Sequence, residues 1–227
     1  MMEKVIKMDY SVVLPAAGQG NRMQLGYNKL FYQKDGQMIL AKTIQPFVND
    51  PRCKQIIVVH APSEEDIWET QLRPLLSSHQ QLVLVCGKET RTGSVYAGLQ
   101  EVCERVVLIH DGARPFLKQE AINALLETLR EEQAAILAVP CKDTIKRVTD
   151  MHIEATLDRS FLWQAQTPQA FHIELILQAY EKAIADQAVL TDDASAVEQY
   201  TNCSVKIVMG SYDNIKITTA EDLAYWK

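Results

Sequence analysis

Residues 11–23 read SVVLPAAGQGNRM, and Asn28–Phe31 follow as NKLF. A short β-branched run passes straight into a glycine-rich loop, the pattern of a buried strand that delivers a backbone turn to the edge of a sheet. Gly18 and Gly20 permit a tight turn that exposes backbone N–H groups, and Arg22 and Lys29 bring two cations to the same mouth. Such a loop suits a polyphosphate. No GK[ST] follows, so it is not a Walker loop, and Met23 stands where a dinucleotide fingerprint has its third glycine.

Working outward, QIIVVHA from Gln55, LVLVCG from Leu82 and RVVLIHD from Arg105 repeat the apolar run, and each reads as a strand buried on both faces. Amphipathic segments separate them. Ile122, Leu125, Leu126 and Leu129 fall at i, i+3, i+4 and i+7 and form one apolar stripe along KQEAINALLETLREEQ. SEEDIWETQLRPLL reads as a second helix, with Ser63 as its N-cap and acids in its first turn. Alternation at this spacing predicts an α/β fold, a mostly parallel twisted sheet flanked by helices. After AAILAVP the pattern becomes polar–apolar alternation around a polar tip near Asp150, which predicts a β-arm projecting at about 141–163. A two-stranded ribbon is marginal alone, so a second copy of the chain is expected to cover it, giving a homodimer. The helix HIELILQAYEKAIADQ, the strand VKIVMGS, a short strand-like run NIKITT and a final AEDLAYW turn complete residues 1–227, read as a single domain.

Composition narrows the function. The 227 residues hold 23 Lys plus Arg against 29 Asp plus Glu, a formal charge of −6, which opposes bulk binding to a nucleic-acid polymer but leaves room for a local basic pocket. The apolar runs stop far short of a membrane span, and MMEKVIKMDY lacks the apolar core of a secretory signal, so a cytoplasmic protein is expected. Five scattered cysteines without a CxxC pair read as reduced thiols.

The candidate chemistry lies in separated clusters. HDGARPF follows a strand, so Asp111 and Arg114 fall at its carboxyl end, where open α/β sheets bind ligands. Asp111 suits a ribose, a phosphate through Mg²⁺ or a turn cap, and Arg114 suits a phosphate or a surface acid. His110 at the strand end is left without a role. In GKETRTGSV, Thr92 or Ser94 is expected to cap the next helix. Local context alone makes Thr144, Arg159 and Lys216 surface residues. A phosphate monoester, with a second pKa near 6, needs no general base as a nucleophile at neutral pH. It needs alignment, plus cations and Mg²⁺ against the crowded charge.

The series LPAAGQGNRM, NKLF, GKETRTGSV, HDGARP, DTIKRV, DRSFLWQAQTPQAF, LTDDASAVE and GSYDNIKITTAEDL resembles the 2-C-methyl-D-erythritol 4-phosphate cytidylyltransferases from about Val12 to about Leu223. That resemblance implies a Rossmann-like nucleotidyltransferase fold whose β-arm joins two subunits. It implies that Pro15, Ala16, Ala17, Gly18 and Gly20 line a CTP loop, with Gly87, Ser94 and Asp111 also on the nucleotide. Arg22, Lys29, Arg159 and Lys216 become catalytic cations. Asp111, Arg114, Thr144, Arg159, Thr167, Thr191 and Lys216 become contacts of methylerythritol phosphate, with Thr144 reaching the partner's site. Mg²⁺ would ride mainly on the CTP phosphates, with Asp111 as its protein-side ligand. Ala220 and Cys86 depart from the family pattern, where proline and glycine are common. The nearest rival is a ribitol 5-phosphate cytidylyltransferase, opposed by PAAGQG, DASAVE and GSYDNIKITT. A nicotinamide-dependent oxidoreductase is opposed by the missing glycine and by VVHAP, which lacks an acid for the ribose, and a nucleotide-sensing module has no use for so many cations.

Overall fold

The computed structural model describes residues 8–18 and 26–226. Gly20 and Arg22 therefore lie outside the described residues.

Eleven strands and six α-helices alternate along the described chain. The main sheet uses β1 (Tyr10–Pro15), β4 (Cys53–His60), β5 (Gln81–Cys86), β6 (Val106–Ile109), β7 (Ala134–Pro140), β10 (Trp163–His172) and β11 (Lys206–Met209) in the order β11-β7-β10-β6-β1-β4-β5. Only β10 runs antiparallel to its neighbours β6 and β7. The small hairpin of β2 (Gln33–Lys34) and β3 (Gln37–Met38) precedes the first helix.

Successive side chains of a strand point to opposite faces, and both faces here are covered. Val12, Leu14, Ile56 and Val58 join a core with α1 (Ile39–Val48), α2 (Glu65–Leu72) and α4 (Gln119–Thr128). Val13, Ile57 and Val59 face α3 (Arg91–Leu99), α5 (Ile173–Ala185) and α6 (Ala194–Tyr200). The expected stripe Ile122, Leu125, Leu126 and Leu129 is buried, worth roughly 2 kcal/mol per side chain. Gly98 lets α3 approach the sheet: a Cβ there would lie 2.7 Å from Val59 Cγ2 and 2.9 Å from Val13 Cγ1. No helix among the described residues is long and apolar enough to cross a membrane.

Three local expectations are corrected. The Leu82 run is only partly buried, because β5 is the outer strand of the sheet and has β4 alone beside it. Ser63 is not an N-cap: Pro62–Glu64 form a 3-10 turn and α2 begins at Glu65, although its first turn does carry Glu65 and Asp66. NIKITT is irregular rather than extended into a strand.

The arm is a separate ribbon of β8 (Lys146–Thr149) and β9 (His152–Thr156). Its turn residues Asp150 and Met151 both have positive φ (47° and 64°), the conformation that matches the twist of a two-residue hairpin. The ribbon and its return carry large apolar side chains in the open, including Met151 at 94% and Phe161 at 82% exposure.

Candidate active site

The carboxyl ends of β1, β4, β5 and β6 lie along one edge of the sheet, since these strands are mutually parallel. Ala16–Gly18, Gly87 and the turn after Ile109 therefore meet there. β10 crosses that edge from the other direction with Gln169 opposite Ile109, which puts Thr167 beside the turn. The loop after β11 returns to the same place, and Ile217 N donates to the Ala113 carbonyl.

At the centre is the Asp111 carboxylate. Its Oδ2 accepts from Arg114 Nε at 3.1 Å and from Lys216 Nζ at 3.1 Å. Burial alone would raise this carboxyl, but the Lys216 ammonium and then the Arg114 guanidinium outweigh it and hold its pKa at about 2. Asp111 is thus an anion throughout the neutral range, and it gathers two cations that would otherwise repel. Arg114 Nη1 also donates to the Asn214 carbonyl at 2.8 Å, and Lys29 Nζ to the Ile217 carbonyl at 2.6 Å. The C-terminal loop is consequently pinned on both sides of Lys216 by the cations around it.

Two cavities open on this cluster. One, about 190 Å³, is lined by Pro15, Ala16, Gly18, Asn28, Lys29 and the Asp111–Ala113 turn, with Lys216. The other, about 490 Å³, is lined by Arg91, Arg114, Gln166, Thr167, Gln169, Thr191, Asp192 and Ser195 among others. Asp111 and Lys216 line both. A larger open groove of about 700 Å³ beside Lys182 and Tyr200 contains none of the residues expected from the sequence.

Next to the smaller cavity, Gly87 lies against Ala17: a Cβ on Gly87 would come 2.7 Å from Ala17 Cβ, 3.1 Å from the His60 carbonyl and 3.4 Å from Ser94 Oγ. A glycine here lets the loop after β5 pack directly against Ala17 and the His60 carbonyl, an approach that any side chain would block. Ser94 Oγ accepts from Lys88 N at 2.9 Å and donates to the Lys88 carbonyl at 3.1 Å, so the hydroxyl shapes the loop between β5 and α3. The cap of α3 is neither Thr92 nor Ser94. It is Thr90, whose Oγ1 accepts from Gly93 N at 3.0 Å, because the chain turns into the helix one residue before Arg91.

The structure brings together Pro15, Ala16, Ala17, Gly18, Lys29, Gly87, Ser94, Asp111, Arg114, Thr167, Thr191 and Lys216 at one edge. It leaves Thr144 and Arg159 on the exposed arm, where the Arg159 guanidinium donates to the Lys142 carbonyl. Several residues that sequence reasoning passed over support the site. Buried Asn28 donates to the Ala16 carbonyl at 3.0 Å and caps the turn that carries Lys29 by accepting from Leu30 N at 3.1 Å. Arg91 pairs with fully buried Asp193 at 2.9 Å, and Tyr180 donates to the same carboxylate at 2.6 Å, fixing one wall of the larger cavity. Gln169 spans Asp192 and the Ala194 amide at 2.8 Å each. Asn28 adjoins Lys29 in sequence, and Asp193 lies in LTDDAS, so both sit inside the stretches that carried the resemblance.

The family profile described as IspD, 2-C-methyl-D-erythritol 4-phosphate cytidylyltransferase, matches residues 10–227. The chain is 46% identical over 220 residues to the protein of that name from Halalkalibacterium halodurans, covering 96% of this chain and 95% of that one. It is 46% identical over 217 residues to the Bacillus licheniformis protein of the same name, covering 95% and 93%. Among solved structures, the 4-diphosphocytidyl-2C-methyl-D-erythritol synthase of Anaerococcus prevotii matches with a TM-score of 0.83 at 33% identity over 96% of both chains. The Francisella tularensis 2-C-methyl-D-erythritol 4-phosphate cytidylyltransferase matches with a TM-score of 0.81 at 34% identity, covering 96% of this chain and 98% of that one. The mostly parallel sheet, its single reversed strand and these likenesses agree on a Rossmann-like nucleotidyltransferase fold, and the chain belongs to the 2-C-methyl-D-erythritol 4-phosphate cytidylyltransferase family.

Proposed function

We propose that this protein transfers the cytidylyl group of CTP to 2-C-methyl-D-erythritol 4-phosphate, giving 4-diphosphocytidyl-2-C-methyl-D-erythritol and pyrophosphate. The observation that carries the reading is the wall shared by the two cavities: Asp111 and Lys216 border both. A nucleotide in the Pro15–Lys29 cavity and a polyol phosphate in the Thr167–Thr191 cavity would meet at that wall. By family resemblance Ala17, Gly87 and Ser94, which pack together beside the smaller cavity, would flank the base and ribose.

The acceptor phosphate is mostly a dianion at neutral pH, so its oxygen attacks the α-phosphorus without a general base. The new bond forms between that oxygen and the α-phosphorus. The bond from the α-phosphorus to the bridging oxygen breaks, and pyrophosphate leaves with the electron pair. What the protein supplies is alignment and positive charge. Lys216 and Arg114, held by Asp111, stand at the wall, and Lys29 stands on the nucleotide side. Arg22 completes the cation set by family resemblance.

Among the described residues no group of three or more acidic, histidine or cysteine side chains could hold a metal ion. One ionised carboxylate at the shared wall fits a Mg²⁺ that arrives on the nucleotide, since this ion is commonly bound through one or two carboxylates plus substrate phosphates. Asp111 would hold it, and the ion would offset charge on the triphosphate. The exposed apolar side chains of the arm fit a second copy of the chain, which would bring Thr144 and Arg159 to the partner's larger cavity. With five unpaired thiols and a triphosphate substrate, the reading places the protein in the cytoplasm.

The test is pyrophosphate release with CTP and Mg²⁺, comparing methylerythritol 4-phosphate with ribitol 5-phosphate and CTP with other nucleoside triphosphates. Release confined to CTP with methylerythritol phosphate is expected. Release with ribitol phosphate instead would keep the chemistry and overturn the acceptor.

A further inference from the structure

His110 takes no part in the chemistry above, yet it directly follows β6, immediately before Asp111, and is fully buried. Its Nδ1 lies 3.0 Å from the Thr167 hydroxyl and its Nε2 lies 3.3 Å from the Arg114 carbonyl. Phe47 packs edge-on against the ring at 5.3 Å between centroids. These partners decide where the protons sit. A carbonyl can only accept, so Nε2 carries the proton and Nδ1 presents a lone pair. The Thr167 hydroxyl must then donate to Nδ1, and its oxygen accepts the Asp111 backbone N–H at 3.0 Å. A directional chain results: Asp111 N–H to Thr167 Oγ1, Thr167 O–H to His110 Nδ1, His110 Nε2–H to the Arg114 carbonyl.

We propose that His110 is a positioning residue for the wall between the two cavities: through Thr167 it fixes the amide of Asp111, and through the Arg114 carbonyl it fixes the turn that aims the carboxylate and the guanidinium. Rigid placement matters here because Asp111 in turn holds Lys216, so an error at the turn displaces both cations together. The same chain assigns Thr167. Its single hydroxyl proton goes to His110, so this hydroxyl orders the wall and does not donate to the acceptor phosphate. The inference rests on the cytidylyltransferase reading for its kinetic consequences, while the proton order is read independently of activity.

Three variants separate positioning from space-filling. His110→Leu keeps bulk and removes both ring nitrogens, Thr167→Val removes only the hydroxyl, and His110→Asn returns an amide oxygen near Nδ1. Displacement of reacting groups by about 1 Å can cost about 100-fold. For folded His110→Leu and Thr167→Val, kcat should fall about 10- to 100-fold, with the KM for CTP within about threefold because the Pro15–Gly18 loop is untouched. His110→Asn should recover most of the loss. The double variant His110→Leu/Thr167→Val should be no worse than the poorer single one, because both cut the same chain. Wild-type kcat in either folded single variant, or additive losses in the double one, would overturn the proposal. If His110→Leu fails to fold, Thr167→Val decides. Nitrogen-15 NMR of the wild-type ring should show the Nε2–H tautomer, and an Nδ1–H ring would overturn the proton order whatever the activity. A wild-type protein that releases no pyrophosphate would instead sink the functional reading, leaving the tautomer result to stand or fall alone.

Discussion

Replacing His110 by asparagine should make the stability of this protein less sensitive to acid. In the folded chain the ring is buried beside Phe47 and faces the Thr167 hydroxyl and the Arg114 carbonyl, with the Asp111 carboxylate and the Arg114 guanidinium as its charged neighbours. Burial is the largest influence, and it lowers the pKa from the ordinary 6.5 to about 4. The unfolded chain therefore takes up a proton between pH 6.5 and pH 4 that the folded chain refuses. Stability from this group is fully present above about pH 7.5, declines as the pH falls below 6.5, and levels off below about 4. The whole gap corresponds to about 3 kcal/mol, of which about 2 kcal/mol is lost by pH 5. Asparagine has no such titration, and the other four histidines are common to both proteins. Urea unfolding at one fixed protein concentration should show the stability difference between wild type and His110→Asn shrinking by about 2 kcal/mol from pH 8 to pH 5. A difference that stays constant across that range would refute the claim that the ring is buried unprotonated.

Lys216→Met should lower kcat by about 100- to 1000-fold while changing the melting temperature little, because the side chain is 41% exposed and acts on charge at the wall; a rate within threefold of wild type would remove it from the mechanism. Thr144→Ala and Lys29→Ala should each be impaired, and mixing them should create one intact site per mixed dimer; confirmed mixed dimers without restored turnover would deny a shared site. Phe161→Glu with Met151→Glu should yield a monomer in sedimentation velocity, and an unchanged sedimentation coefficient would move the interface elsewhere. Gly98→Ala should cost about 1–3 kcal/mol, since its Cβ must enter the space held by Val59 and Val13; an unchanged melting temperature would show that α3 can shift at no cost.

The sheet is legible in the sequence where strands are buried on both faces, as at Val12–Leu14 and Ile56–Val59, because continuous apolar β-branched runs have few other uses. The arm is legible from alternation around Asp150. Helix starts are less so. Ser63 and Pro62 fall in a 3-10 turn, and three hydroxyl residues, Thr90, Thr92 and Ser94, compete for one cap whose choice depends on where the chain leaves β5. The site divides along the same line. HDGARP announces itself because Asp111 and Arg114, close in sequence, are ion-paired in space. Lys216 does not, since its partner Asp111 belongs to a strand end far earlier in the chain; Arg114 and the Asn214 carbonyl meet across 100 residues. Only the ordered series of stretches, matched as a whole, pointed to Lys216. Thr144 and Arg159 show the limit, because within one chain they stand on an exposed ribbon and their proposed role lies on a neighbour.

The central claim is that one wall, Asp111 with Lys216, separates the nucleotide from the acceptor. A crystal structure with 4-diphosphocytidyl-2-C-methyl-D-erythritol tests it most directly, since that product carries both halves joined by the diphosphate. The expected result places cytidine against Ala17 and Gly87, the methylerythritol in the cavity of Thr167 and Thr191, and the diphosphate within hydrogen-bonding distance of Lys216. A product lying wholly within one cavity, or a diphosphate bound away from Lys216, would contradict it.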